Sequence, residues 1–165
     1  MTGNEVSPAE VRGVPGRDGL EGRLATRLAR GVARALVDWG YAPLVEFSLN
    51  NGRRADVIGM DGAGRFVIVE IKSSEADFRA DGKWREYEAH CDLFYFAVAE
   101  DFPRAILPQD RGLLVADAYG AEIARPAPET AMNPARRRAQ ILRFALAAAQ
   151  RLHDMTDTPL ATARD

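Results

Sequence analysis

The stretch RRADVIGMDGAGRFVIVEIK, residues 53–72, decides how this chain reads. Val57-Ile58 and Phe66-Val67-Ile68-Val69 are short runs rich in β-branched side chains, and Asp61-Gly62-Ala63-Gly64 between them is turn chemistry. Upstream, Leu44–Leu49 is a further strand-length segment, closed by Asn51-Gly52. The spacing predicts a β-meander with strands at Leu44–Leu49, Arg53–Met60 and Arg65–Lys72. Two features interrupt its apolar pattern: a lone carboxylate, Asp56, and the closing triplet Glu70-Ile71-Lys72. On a strand, residues two apart share a face, so Glu70 and Lys72 point one way and Ile71 the other.

Upstream of the meander, Leu20, Leu24, Leu28, Val32, Ala35, Leu36 and Trp39 fall at helical spacing, and Gly40 supplies the stop. Downstream, Ser74-Glu75-Ala76-Asp77 resembles a capping box and predicts a helix through Lys83, Trp84 and Tyr87 to about Cys91. Leu93–Ala99 is a continuous apolar run, as expected of a strand covered on both faces. Gly112–Asp117 and Glu122–Arg125 predict a hairpin around Tyr119-Gly120, and Ala135–His153 a last helix after a proline-bearing linker. Residues 1–19 read as a flexible N-terminal tail, 20–153 as a single domain and 154–165 as a flexible C-terminal tail. The order α-β-β-β-α-β predicts an α/β fold with a central mixed sheet flanked by helices.

Composition narrows the classes. At 165 residues with 47% hydrophobic and 28% charged content, the chain suits one soluble domain with a substantial core. No segment reaches the roughly 18 apolar residues of a membrane span, and the N-terminus has no apolar core of a secretory signal. The single Cys91 forms no internal disulfide, which suits a cytoplasmic setting. The net charge of −2 excludes a generic polycation, so any nucleic-acid contact needs locally gathered positive charge. Twenty arginines accompany only two lysines, Lys72 and Lys83, eleven residues apart.

The chemistry centres on the carboxylates. Asp56 and Glu70, meeting at one end of a sheet, suit Mg²⁺ or Mn²⁺, which prefer oxygen ligands and keep several waters. A neighbouring Lys72 ammonium orients a water and adds electrostatic stabilisation. At about 100° per residue, Glu21 falls inside the apolar stripe of the first helix rather than opposite it. It is either a further member of the cluster or a first-turn carboxylate that favours the helix dipole and reaches solvent. Lys83 and Tyr87, four apart, share a helix face and either assist at the substrate or form a charged surface residue above a half-buried tyrosine. Trp84 either stacks on a base or packs in the core.

Arg136-Arg137-Arg138, with Arg143 and Arg151, give the last helix five positive charges, three of them in a first turn whose dipole they oppose. They either contact phosphate or form a simple exposed basic face. Arg53 and Arg54 flank the site and either contact phosphate or pair with its carboxylates. Asp77 and Asp81 read as helix caps. Adjacent His90 and Cys91 make no nucleophilic dyad, and two histidines with one cysteine are too few for a structural zinc site.

Asp56, Glu70-Ile71-Lys72 and a preceding helix with Glu21 resemble the PD-(D/E)XK nuclease superfamily. The stretch from Arg53 to Pro103, the later GLLVADAYGAEIAR and the arginine-rich last helix resemble the MmcB family, to which a DNA-repair endonuclease role is ascribed; this covers residues 20–153. The resemblance implies a restriction-endonuclease-like core, with Asp56, Glu70 and the Ile71 carbonyl as metal ligands and Lys72 as the catalytic lysine. Lys83 and Tyr87 match the spacing of the Q-x-x-x-Y element of RecB-like nucleases, with lysine in place of glutamine, and Ala55 stands where a proline is usual.

The expectation is therefore a Mg²⁺- or Mn²⁺-dependent DNA endonuclease acting in repair. Asp56, Glu70, Ile71 and Glu21 form the metal set, and Lys72, Lys83 and Tyr87 assist. Arg53, Arg54, Trp84, Arg136, Arg137 and Arg138 are the DNA contacts. The alternative is a DNA-binding adaptor that keeps the nuclease fold without turnover. Implied partners are DNA, DNA-repair proteins and, as for many proteins of this architecture, a second copy of the chain; none is a membrane.

Overall fold

Residues 17–157 of the computed structural model are described here. The tails expected over residues 1–19 and 154–165 fall partly outside them: Arg17–Gly19 already belong to the first helix, and the last helix runs to Thr156. Helix α1 spans Arg17–Asp38, followed by strands β1 (Tyr41–Ser48), β2 (Arg54–Asp61) and β3 (Phe66–Ile71). A short helix α2 (Glu75–Ala80) and a 3₁₀ helix (Trp84–His90) lead to β4 (Leu93–Val98). Strands β5 (Gly112–Ala116) and β6 (Ala121–Arg125) and helix α3 (Pro134–Thr156) complete the chain.

The six strands form one mixed sheet in the order β1-β2-β3-β4-β5-β6. The β1–β2, β2–β3 and β5–β6 pairs are antiparallel, as hairpin connections require, and β3–β4 and β4–β5 are parallel. The predicted meander, the buried aromatic strand and the flanking helices are therefore present. The single helix expected from Ser74 to Cys91 is not. Asp81-Gly82 breaks it after Ala80, a stop signal that the capping pattern upstream had outweighed.

Strand alternation builds two cores. Val67, Val69 and Ile71 face α1 and pack with Leu28, Val32 and Leu36. Phe66, Ile68 and Phe96 face the opposite way, against Trp84, Tyr87 and Phe144 of the 3₁₀ helix and α3. Both faces of β3 are covered, so all six of its residues are buried, including Glu70. Helix α1 thus lies on one face and α3 on the other.

One ion pair ties α3 to the sheet. Buried Asp92, just before β4, accepts from Arg137 at 2.6 and 2.8 Å and from the Phe66 N–H at 2.7 Å. Arg137 also donates to the Gly64 carbonyl at 2.9 Å. Breaking such a pair from one side leaves a buried charge unmatched and costs about 3–5 kcal/mol. On the other face α1 presses directly on the β5–β6 turn, because Gly31 has no side chain. A Cβ there would run into the Asp117 carbonyl and come within 2.7 Å of the Gly120 carbonyl. These are backbone atoms and cannot rotate away. Gly31→Ala is therefore expected to destabilise the fold by about 1–3 kcal/mol in urea unfolding, despite alanine's better helix propensity. Unchanged or higher stability would contradict this packing.

Candidate active site

The β-ladders yield on both sides of Asp56. Toward β3, regular pairing ends at Val57–Val69, and the Ile71 N–H, instead of meeting a strand carbonyl, donates to Asp56 Oδ2 at 2.8 Å. Toward β1, Val45–Val57 and Phe47–Ala55 are paired, but Glu46 between them is in the left-handed region at φ 48°. That conformation costs a non-glycine residue of order 1–3 kcal/mol. Arg151 of α3 holds it by donating to the Val45 and Glu46 carbonyls at 2.6 and 3.0 Å. The Asp56 carboxylate is thereby lodged at the splayed end of the hairpin.

Glu70 and Lys72 share a face, as strand alternation predicts. Lys72 Nζ donates to Glu70 Oε1 at 3.3 Å and to Asp81 Oδ2 at 2.5 Å. The lysine is 2% exposed and Glu70 6% exposed, so this is charge held out of water. Asp81 stands at the C-terminal cap of α2 and also accepts from the Lys83 N–H at 2.9 Å. It is thus a cap residue, as expected, but its carboxylate is the strongest partner of the site lysine, which sequence reading did not foresee. Ser74 is the N-cap of α2, accepting from the Asp77 N–H, and Asp77, read from sequence as a cap, sits in the first turn with its carboxylate accepting from the Ser73 N–H.

Electrostatics follow from burial. Burial and then the Asp56 charge push the Glu70 carboxyl up to about 8. Burial also raises Asp56, although the Ile71 N–H and Lys72 oppose it. Burial alone would lower Lys72, but the Asp81 hydrogen bond and the Glu70 charge outweigh it and hold the ammonium above its ordinary range. For the same reason Asp81 lies below the usual carboxylate range, despite its own burial. Tyr87 is raised by burial and by the charges of Glu70, Asp56 and Asp81, which marks it as a neighbour of the cluster.

The structure gathers Asp56, Glu70, Ile71, Lys72 and Tyr87. The Tyr87 hydroxyl is not turned to a substrate; it donates to the Arg54 carbonyl at 3.0 Å. Lys83 is exposed, and its contact with the cluster is through its backbone. Glu21 is half-buried on the sheet-facing side of α1. Among the described residues, no group of three His, Cys, Asp or Glu side chains is set to hold a metal ion. The pair Asp56 and Glu70 nevertheless fits a divalent cation, because Glu70 Oε2 is buried with no hydrogen-bond partner. An oxygen so placed lacks the compensation that buried polar atoms normally have. Ile71 stands between Glu70 and Lys72 in sequence and gives its N–H to Asp56.

Three of the expected DNA contacts have other partners in the fold. Trp84 is 4% exposed, stacked on Phe94 at 5.8 Å and edge-on to Phe96 at 5.2 Å; it packs in the core and offers no face to a base. Arg137 is spent on Asp92, and Arg53 makes a two-pronged pair with Glu86 at 2.7 and 2.8 Å. Arg136 is exposed but donates to the Ala89 carbonyl at 2.9 Å. Arg138 is exposed, and Arg54 reaches Glu46 only at 3.7 Å.

Asp56 and Ile71 floor a cleft of about 800 Å³ walled by α1, β1 and β2. A mixed sheet with paired carboxylates and a buried lysine where a hairpin splays, Asp56 and Ile71 lying against the cleft, defines the candidate site. The chain matches the family described as "DNA repair protein MmcB-like" over residues 13–159, and it belongs to that family. It is also similar to the SPO1766 protein of unknown function from Silicibacter pomeroyi, with 45% identity and a TM-score of 0.79 over 85% of this chain and 97% of that one. No curated protein matches it. No helix among the described residues is long and apolar enough to cross a membrane.

Glu70 gives a pH dependence with a definite sign. A carboxyl raised in the folded state from 4.5 to about 8 contributes stability that is full below 4.5 and is lost as pH rises through about 8. With chelator present, the melting temperature is expected to fall across that interval. Glu70→Gln, which keeps the shape and removes the charge, should flatten the fall and melt above the wild type at the alkaline end. Parallel profiles for the two proteins would contradict the buried-carboxyl account.

Proposed function

We propose that this chain is a Mg²⁺- or Mn²⁺-dependent deoxyribonuclease of the PD-(D/E)XK type, working in DNA repair. The observation that carries the reading is half-buried Asp56 beside buried Glu70, which has one unpartnered carboxylate oxygen, next to a lysine that stays charged.

Asp56, Glu70 and the Ile71 carbonyl would hold the cation, with Glu21 at the start of α1 as a further candidate. The bound cation supplies a more acidic water and neutralises charge on the scissile phosphate. To take up the cation, Glu70 gives up the proton that burial makes it keep. Lys72 acts as a donor and not as a base, because Asp81 and Glu70 hold its ammonium protonated. It can therefore orient a water or steady charge on a phosphate oxygen. Asp81 fixes the lysine through a 2.5 Å contact, and Tyr87 fixes the start of β2 through the Arg54 carbonyl. Arg54, exposed at the cleft with only a 3.7 Å pair to Glu46, can reach a phosphate.

Purified protein is expected to cleave at least one of duplex, nicked, flapped or branched DNA when Mg²⁺ or Mn²⁺ is added. Asp56→Ala and Lys72→Ala should each lower that rate about a hundredfold or more, in protein shown to be folded by its melt. Cleavage by either variant at the wild-type rate would sink the reading. DNA binding with no metal-dependent cleavage of any substrate would favour the adaptor, which keeps the fold without turnover.

A further inference from the structure

Residues Arg23, Arg27, Arg30 and Arg34 of α1 follow one another at i, i+4, i+7 and i+11. At about 100° per residue they fall within some 60° of one another, a single ridge about 16 Å long. All four are exposed. Arg23, Arg27 and Arg30 make no ion pair with a described residue, and Arg34 donates only to the Ala118 carbonyl at 3.2 Å. The ridge is opposite the stripe of Leu28, Val32 and Leu36 that packs on the sheet. Such a run of like charge is unfavourable for an isolated helix, since i and i+4 arginines repel. Within the helix no acidic side chain is interleaved between Arg23 and Arg34; Arg27 has acidic neighbours from the sheet side, Asp117 among them.

The ridge borders the candidate site. The helical wall of the cleft over Asp56 and Ile71 is α1 alone, with Arg30 and Arg34 among its lining residues and Arg54 across from them. Between arginines the wall is small: Ala25, Ala29 and Ala33 leave room for a chain to lie in it. Helix α3, where sequence reading put the phosphate contacts, is on the opposite face of the sheet. Its Arg137 and Arg151 are committed to Asp92 and to the β1 carbonyls.

We propose that the arginine ridge of α1 is the track on which a DNA backbone lies, delivering a phosphodiester into the cleft floored by Asp56. This rests on the nuclease reading for the cleft's purpose, but the phosphate track itself is testable without turnover. Four guanidiniums in line, each a bidentate phosphate donor, read the backbone and not the bases.

The test is fluorescence anisotropy with labelled duplex DNA, in chelator, across a salt series. Arg23, Arg27, Arg30 and Arg34 are changed together to Gln, and in a second protein to Lys; melts check that both fold. Each lost phosphate contact removes about 0.9 from the slope of log K against log salt. The Gln variant should therefore bind weakly, with a slope shallower by about three to four, and the Lys variant should keep most of the slope. Arg138→Gln with Arg143→Gln, on α3, should leave it unchanged. A wild-type slope in the α1 Gln variant, transfer of the loss to the α3 pair, or no DNA binding by wild type at low salt would each overturn the proposal. If the α1 Gln variant still cleaves like wild type, the ridge fails and the nuclease reading survives. A ridge-dependent slope in a protein that cleaves nothing would sink the nuclease reading and keep the ridge.

Discussion

Three carboxylates and one ammonium are crowded at the end of β3, mostly out of water, and the rest of the site is arranged around that cost. Taking a single ion out of water costs several kcal/mol even after relaxation, and partners recover it only with good geometry. Lys72 has such geometry, between Glu70 and Asp81. Asp56 has a backbone N–H. Glu70 is left short, with one oxygen unpartnered and its carboxyl raised to about 8. That imbalance is the ground on which a cation is proposed between Asp56 and Glu70.

The same economy sorts the arginines. Arg137 answers the buried Asp92, Arg151 braces the left-handed Glu46, and Arg53 pairs with Glu86. Those side chains hold the sheet and α3 in place, and in doing so keep Asp56 where the two ladders part. What remains without such duties, and close to the cleft, is Arg54 and the ridge of α1. A chain of net charge −2 can in this way offer a positive surface at one place.

Much of this was legible in residues 53–72. Period-two alternation put Glu70 and Lys72 on one face, and the turn glycines gave the antiparallel register that brings Asp56 to Glu70's end of the sheet. Residues 93–99 read as a doubly covered strand because both faces are apolar. The role of Asp81 was not legible, since the helix break at Gly82 turns a cap position back onto the lysine, and a capping pattern upstream masks the break. The duties of Arg137 and Trp84 depend on partners 45 residues away, as with Asp92, or on an aromatic neighbour in another strand. Local pattern cannot report such partners. The α1 ridge is written in the spacing of Arg23, Arg27, Arg30 and Arg34, but the cleft beside it is set by the pairing of β1 and β2, which helical spacing alone does not report.

The central claim is that Asp56 and Glu70 form one cation site. Crystals soaked in Mn²⁺ and measured for anomalous scattering at the manganese edge test it most directly. The account predicts a peak between the Asp56 and Glu70 carboxylates, within bonding distance of both, that is absent in Asp56→Ala crystals. A saturating soak with no density there, or with manganese bound only elsewhere, would contradict it.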